Sequence, residues 1–288
     1  MKTLPFGLAS RIVTTEETTL KKLDLEELLV IHDDSLTSCH LSRPTIAKGV
    51  TAIVHETQMN EANISGTVRA YHSVIESSNV LCGGVIEADN GCSCLRTRIG
   101  EDGYLTMMSG SYASGLTVEN GGVVVISSGA VVSDTKTGGD ESEILVLSGG
   151  VVSVAEIAWC DYLRIARGAS ASEISVLSGG SVNIGESYSD EPGPIEANAS
   201  VSFLYISSGG KAVVKKGGTV ENMYVFTGGS LVISSGASVN ICQAKKGAYV
   251  KVCEGGTLMN LCGAGSSSVE AESGSWLTYK NGGKNGKS

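Results

Sequence analysis

The sequence is poor in several features that many protein classes require. Its 288 residues include only three Phe, two Trp and four Pro, and the formal net charge is −9. No apolar run reaches the ~18 residues that a membrane-spanning helix requires. Lys and Arg form no cluster larger than pairs such as Lys215–Lys216, whereas phosphate binding needs a concentrated basic face. We therefore expect neither a membrane-spanning helix nor a nucleic-acid partner.

Histidine is confined to the N-terminal part of the chain, at His32, His40, His55 and His72. The remainder lacks the commonest general base, and no Ser/His/Asp or Cys/His arrangement can be drawn in it. Its glycine pairs do not open helices, as a phosphate loop would require. The sequence therefore predicts no catalytic residue, no cofactor and no metal site, and a protein that is not an enzyme.

Glycine, in contrast, is abundant, with 38 residues, and it is periodic. Residues 209–284 form four copies of a 19-residue unit, and glycine steps separated alternately by 8 and 11 residues divide these units. The steps are Gly209, Gly217, Gly228, Gly236, Gly247 and Gly255. A fixed period in this range is typical of stacked repeat architectures.

The same steps can be followed back to Gly83. When each unit is numbered from its first step, positions 4, 6 and 12 are apolar, and the alternation of side chains along a strand predicts that they point inward. Position 4 comprises Ile86, Leu105, Val124, Val152, Val182, Ala212, Leu231, Val250 and Val269. Position 6 comprises Ala88, Met107, Ile126, Val154, Ile184, Val214, Ile233, Val252 and Ala271. Position 12 comprises Cys94, Ala113, Val132, Cys160, Val220, Val239, Leu258 and Leu277.

Three short inward-facing strands per unit, joined by glycine corners, predict an all-β fold. We expect a single-stranded parallel β-solenoid of ~12 rungs that are stacked ~4.8 Å apart. It should span residues 49–288, with faint coils over 49–82 and a clear register from 83. Residues 1–48 are predicted to be a short N-terminal cap or leader-like segment, in which leucines line one face of a helix. These leucines are Leu20, Leu23, Leu28 and Leu29.

Two interruptions of the period predict loop insertions near residues 134–142 and 187–200, and both are acidic. Their carboxylates suit a cation or glycan site, or the paired acids of a polysaccharide-cleaving β-helix. Solvated surface loops are the ordinary alternative. The first group is Asp134, Asp140, Glu141 and Glu143, and the second is Glu186, Asp190, Glu191 and Glu196.

Eight cysteines are too dilute for a disulfide scaffold. Cys94, Cys160 and Cys242 fall on inward positions, and we predict that they are buried thiols that act as small hydrophobes. Cys242 and Cys262 belong to adjacent coils, but the alternation of side chains predicts that they lie on opposite faces.

Several glycine-stepped stretches resemble one known kind of repeat: SSGAVVS (127–133), VLSGGVVSV (146–154), VLSGGSVNI (176–184), YISSGGKAVV (205–214), FTGGSLVISSGASVN (226–240) and EGGTL (254–258). They are similar to the passenger repeats of AIDA-type (diffuse-adherence) autotransporter adhesins, and the resemblance covers about residues 83–284. It implies a rigid extracellular rod that adheres to surfaces or neighbouring cells, with surface glycans or proteins as partners. It also implies that Ser and Thr near the corners can be glycosylated, although they are equally ordinary turn residues. These are Ser127, Ser128, Ser207, Ser208, Ser234, Ser235, Thr219 and Thr257.

The leading functional hypothesis is therefore a non-enzymatic structural or adhesive repeat module, at the cell surface or secreted. The first 20 residues contain no clear secretory signal, so a cytoplasmic location stays open. One alternative is a carbohydrate-active β-helix that uses the acidic loops. Another is a self-assembling rod that associates end to end through open strand edges.

Overall fold

The protein is described by a computed structural model that covers residues 11–12, 29–31, 39–186, 198–263, 267–280 and 286–287. Within these residues all regular elements are β-strands, which confirms the predicted all-β class. The strands form a parallel β-solenoid fold of about 12 turns. The chain divides into two compact units, Met1–Thr135 and Lys136–Ser288, and each is described in turn.

The first unit contains the shorter strands. They are β1 (Arg11–Ile12), β2 (Leu29–Ile31), β3 (Cys39–Ser42), β4 (Thr45–Ile46), β5 (Thr51–His55), β6 (Thr57–Asn60), β7 (Asn63–Ile64), β8 (Thr67–Tyr71), β9 (Val74–Glu76), β10 (Asn79–Val80), β11 (Val85–Asp89), β12 (Ser93–Leu95), β13 (Arg98–Ile99), β14 (Tyr104–Met107), β15 (Tyr112–Glu119) and β16 (Val123–Ile126).

The next strand, β17 (Val131–Gly138), includes residues of both units. The second unit continues with β18 (Glu143–Val146), β19 (Val151–Ile157), β20 (Tyr162–Ala166), β21 (Ser170–Val176), β22 (Ser181–Glu186), β23 (Ala199–Ile206), β24 (Lys211–Val214), β25 (Gly218–Val225), β26 (Ser230–Ile233), β27 (Ser238–Ala244), β28 (Tyr249–Val252), β29 (Thr257–Cys262), β30 (Ser268–Ala271), β31 (Trp276–Tyr279) and β32 (Gly286–Lys287).

In the first unit each strand pairs in parallel with its counterpart in the next coil. Along the sheet that contains β5, β8, β11, β14 and β16, which we call sheet 1, the partners of Thr51 follow at Thr67, Val85, Tyr104 and Val123. The spacing is therefore 16 and 18 residues in the early coils and 19 from Val85 onward. The remaining strands of each coil form sheet 2, as in the pairing of Ser93 with Tyr112.

Parallel pairing begins earlier in the chain than the sequence suggested. β3 pairs with β6 and β4 with β7, so residues 39–46 belong to a coil and not to a cap. At the end of the predicted helix, Leu29–Ile31 instead forms a strand paired with β5. The helix prediction is wrong there, and this run of β-branched and aliphatic residues is typical of strands. Residues 1–10, 13–28 and 32–38, and with them most of the predicted cap, lie outside the described residues.

The second unit shows that the predicted insertion near 134–142 is wrong. Sheet 1 of this unit runs in register from Glu143 to Tyr162 and Ser181, and sheet 2 from Val151 to Ser170. Residues 131–138 form strand β17 and residues 143–146 form β18, so this segment is ordinary coil. The register jumps by 30 residues between Ser181 and Lys211. The extra residues lie between β22 and β23, and most of the second predicted insertion, at 187–197, falls outside the described residues.

This correction reassigns three positions. Val152 pairs with Ala171 in sheet 2, so it belongs with position 12, where both side chains are buried. Val154 is 44% exposed and has a positive φ, and therefore it does not point inward. Cys160 is exposed at a corner, with φ +63°. The glycine count failed here because Glu141 and Cys160 occupy corner positions at which other coils carry glycine.

With the register corrected, the inward side chains form a continuous apolar core within each unit. In the first unit the core includes Ile86, Leu105 and Val124, each fully buried, and in the second Ile144, Leu163, Val182 and Leu231. The predicted three strands per coil occur in the early coils, as in β8, β9 and β10. Later coils merge two of them into one bent strand, as in β25, whose inward side chains include Val220, Met223 and Val225.

Candidate functional site

Glycine recurs at two of the corners of each coil, one on either side of the sheet 1 strand, and the structure explains why. The first corner precedes the sheet 1 strand and the second follows it. Gly228 at a first corner and Gly236 at a second corner have φ of +76° and +71°, in the left-handed region that side chains disfavour. The predicted role of these glycines is confirmed by this geometry.

Serines beside the corners pack against the glycine of the following coil. A Cβ placed on Gly228 would lie 2.7 Å from Ser208 Oγ, and one on Gly255 would lie 2.6 Å from Ser235 Oγ. The same arrangement joins Ser178 to Gly209, at 2.8 Å. These serines are solvent-exposed, so they are turn residues that interlock successive coils while remaining accessible from outside.

A second set of hydroxyls lies on the outer face of sheet 2 in the second unit. The residues are in register from one coil to the next, so their side chains form one column along the sheet. The column is Ser170, Ser200, Thr219, Ser238 and Thr257. Ser170 and Ser200 are exposed, and the others are half-buried. Thr219 Oγ1 donates to the carbonyl of Ala199 at 2.8 Å.

The sequence did not indicate an aromatic column on the same sheet. Tyr205 and Tyr224 pair in register, and their rings stack with centroids 5.0 Å apart and an angle of 12° between planes. Phe203, two residues before Tyr205, is 37% exposed. Aromatic side chains with a polar tip are common in recognition surfaces. The signal in the sequence was the coincidence of Tyr205 and Tyr224 at one position of the repeat.

The cysteines follow the predictions only in part. Cys94 and Cys242 are buried, as expected, and burial raises the pKa of the Cys242 thiol to about 12, which makes it inert. Cys160 is exposed, which contradicts the prediction. Cys262 pairs with Gln243, an outward residue, whereas the neighbouring Cys242 points inward. The opposite faces predicted for Cys242 and Cys262 are therefore confirmed.

The first acidic group does not form an open loop. Asp140 and Glu141 are exposed at a first corner, and Glu143 Oε1 lies 2.7 Å from Arg164 Nε on the next coil. Asp134 belongs to the other unit. Of the second group, Asp190, Glu191 and Glu196 lie outside the described residues, and nothing is described of the side chain of Glu186.

The structure reveals one buried acid that the sequence did not single out. Asp161 is fully buried at a first corner, and its Oδ1 accepts a hydrogen bond from Ser142 N at 2.9 Å. Desolvation raises the pKa of Asp161, although the nearby Thr137 and Ser142 lower it. The carboxylate therefore satisfies a backbone amide of the neighbouring coil, which is a structural role.

Two further predictions concern absences. In the part of the chain that the structure describes, no helix is long and apolar enough to cross a membrane. Among the same residues, no group of three or more His, Cys, Asp or Glu is arranged to hold a metal ion.

Comparisons with known proteins add a structural similarity. No protein-family model matches the sequence, and no curated protein does. Among solved structures, the chain is similar to the crystal structure of a hyper-glycosylated fragment of TibA, residues 55–350, whose glycosylation was catalysed by TibC. The identity is 22%, the match covers 86% of this chain and 93% of that one, and the TM-score is 0.49.

Proposed function

We propose that this chain is a non-enzymatic adhesive repeat module that presents repeated outward surfaces to a cell or an abiotic surface. The observation that carries the proposal is the in-register column from Ser170 to Thr257. A β-solenoid turns one outward residue per coil into a periodic row, so a weak contact made by one coil is repeated by its neighbours. Linked weak contacts of this kind give strong overall attachment without a deep pocket.

The sequence resemblance to AIDA-type passenger repeats supports the same function, together with a location at the cell surface or outside the cell. It also supports glycosylation of exposed hydroxyls. Exposed candidates in the second unit include Ser170, Ser178, Ser200, Ser208 and Ser235. An attached sugar at any of them would extend from the coil without entering the apolar core.

The carbohydrate-cleaving alternative is less well supported. Glycosidases need two carboxyl groups placed across the scissile bond, about 5 to 10 Å apart. Glu143 is instead paired with Arg164, and Asp161 is bound to a backbone amide. These contacts favour structural roles for both acids.

The adhesive function is tested by displaying the full chain on the outer surface of a non-adherent bacterium. We expect more bacteria to be retained on cultured epithelial cells or on plastic than with an unrelated displayed protein of similar length. Retention equal to the control would refute adhesion. In the native cell, added protease should cleave the protein without lysis, and a protein that stays protected in the cytosolic fraction contradicts the proposed location.

End-to-end association remains a separate proposal. Val269 is half-buried and Ala271 exposed in β30, although their counterparts in earlier coils are buried. Inward positions and strand edges that no further coil covers within the described residues favour pairing with another copy. Light scattering should show a mass that increases with concentration, and a constant monomer mass would exclude such association.

A further inference from the structure

A surface cavity of about 280 Å³ lies along the first corners of the first unit. Three successive coils line it. The first contributes Asn79, Leu81 and Cys82, the second Arg98 and Glu101, and the third Asn120. Ligand pockets are ordinarily ~300–1,000 Å³, so this open cavity holds a small ligand or one part of a larger one.

The corner sequences explain why a hollow forms at this place. Val80 pairs with Ile99, and Ile99 with Val118, so the next residues, Leu81, Gly100 and Glu119, follow one another along the corner. Gly100 has no side chain and lies between two long ones. The corner before them is also shorter: Ile64 to Thr67 is two residues shorter than the equivalent Val80 to Val85. The cavity therefore begins at the first corner of full length.

The lining combines one apolar surface with several hydrogen-bonding groups. Leu81 is 42% exposed, a large fraction for leucine. The amide of Asn120 can donate and accept hydrogen bonds, and Glu101 accepts them. Asn79 Nδ2 already donates to Asn63 Oδ1 at 3.5 Å, so Asn79 offers chiefly its amide oxygen as an acceptor. An apolar patch beside a few amide and carboxylate groups matches a ligand with an apolar face and hydroxyls along its edges.

The charges favour a neutral ligand. Arg98 Nε donates to Glu119 Oε2 at 2.8 Å, so the positive charge is already paired. Glu101 adds a negative charge, and an anion would be repelled. A bound calcium ion takes about 6 to 8 oxygen ligands, several of them carboxylates, but no cluster of three acidic, His or Cys ligands exists in the described part of the chain.

We infer that this cavity is a binding site for a neutral carbohydrate of one or two sugar rings. Leu81 contacts the apolar face of a ring, while Asn79, Asn120 and Glu101 hydrogen-bond its hydroxyls. For its biological role the inference rests on the adhesive function proposed above. The binding itself is a property of the isolated protein and is tested without cells.

Cys82 provides a local probe, because it is an exposed free thiol in the lining. The full-length protein is incubated with each member of a panel of neutral mono- and disaccharides, and labelling by N-ethylmaleimide is followed for each cysteine by mass spectrometry. At a sugar concentration about three times the Kd, labelling of Cys82 should slow about fourfold. Cys160, which is also exposed but lies in the second unit, is the internal control and should react at an unchanged rate.

Two variants locate the site. Asn79→Ala and Asn120→Gly each remove an amide, and glycine at 120 suits the positive φ of +49° found there. Each should weaken the affinity for the sugar about tenfold, the effect of losing roughly 1.4 kcal/mol of hydrogen bonding. At the same sugar concentration the slowing of Cys82 labelling should then fall from about fourfold to about 1.3-fold. Asn183→Ala, which removes an outward amide in the second unit, is the matched control and should leave protection unchanged. Circular dichroism verifies that all variants are folded.

The outcomes separate this inference from adhesion. Protection of Cys82 by a neutral sugar that is lost in both variants supports the site, whether or not displayed cells adhere. If no sugar in the panel protects Cys82, or if calcium chloride or sulfate alone protects it, the carbohydrate site is refuted. Adhesion that persists in Asn79→Ala and Asn120→Gly would leave the adhesive function intact and remove the cavity from it.

Discussion

The second unit turns its first corners in two different ways. In residues 177–180 only the third residue, Gly179, has a positive φ, which is the pattern of a type II turn. In residues 158–161 both Trp159 and Cys160 have positive φ, the pattern of a type I′ turn, although both corners are closed by the same backbone hydrogen bond from the fourth residue to the first. The fold therefore tolerates two turns at equivalent places in the coil.

The backbone of the preceding coil decides whether the fourth residue of a corner can carry a side chain. A Cβ on Gly180, the fourth residue of the type II corner, would lie 2.2 Å from the carbonyl oxygen of Ile157. Asp161 occupies the same place in the type I′ corner and is accommodated, with its carboxylate bound to Ser142 N. Ala248 holds the same place in another type II corner, residues 245–248. Glycine is therefore required at position 180 by the close carbonyl of Ile157, and not by the turn type or by the solenoid as such.

The largest expected loss of stability is that of Gly180→Ala. The added methyl group meets backbone of the preceding coil that cannot move aside, so we expect the free energy of unfolding to fall by about 3 kcal/mol. Urea denaturation measures it. Gly138→Ala is the control, because nothing lies within 4 Å of its Cβ position, and it should change stability by less than about 0.5 kcal/mol. Equal stability of the two variants would contradict the steric account.

A second experiment separates backbone strain from contact with serine. Gly228→Ala places a side chain at φ +76° and against Ser208 Oγ, and it should cost about 2 kcal/mol. Adding Ser208→Ala removes the contact but not the strain, so the double variant should recover roughly 0.5 to 1 kcal/mol. A double-mutant cycle by urea denaturation measures this coupling. Strict additivity would mean that the serine does not interlock the coils.

A third variant makes the opposite change, from a residue with a side chain to glycine, and should increase stability. Glu141 is an exposed residue held at φ +62° where most other first corners have glycine. Glu141→Gly should raise the free energy of unfolding by about 1 kcal/mol, since left-handed geometry disfavours residues with a Cβ. Glu141→Gln keeps the side chain and removes the charge, and it should leave the midpoint of thermal unfolding unchanged. A gain from glutamine equal to that from glycine would assign the effect to charge.

These corners also show which parts of the fold could be predicted from the sequence. The period of glycine and the alternation of small apolar residues predicted the fold and nearly all inward positions, because each coil repeats the same local requirement. The prediction failed at Cys160 and Val154, where the glycine markers are replaced and the turn changes. A type I′ corner without glycine has no distinctive residue type, so the sequence did not reveal it.

The candidate surfaces could be predicted less well than the core. The position of Ser170 in the repeat follows from the correct register. The register was miscounted in this part of the chain because Glu141 stands where a glycine step was expected, and so Ser170 was missed. The cavity beside Gly100 depends on corners of different length lying next to each other, which is a property of several coils together. Asp161 was missed because its function is to bind an amide 19 residues earlier in the chain.

The smallest expected effect is that of Asp161→Asn, and it depends on pH. Because burial raises the pKa of Asp161 in the folded state, folding favours the protonated form, and this stabilisation is lost as pH rises from the unfolded-state pKa through the folded-state pKa. Asp161→Asn cannot ionise and keeps an oxygen for Ser142 N. Urea denaturation should therefore show equal stability of both proteins near pH ~3, and a more stable variant near pH ~7. Asp161→Ala, which leaves the buried amide without its acceptor, should lose about 1 to 3 kcal/mol. A stability difference between the asparagine variant and the unsubstituted protein that does not vary with pH would show that the carboxyl ionises as freely in the folded chain as in the unfolded one.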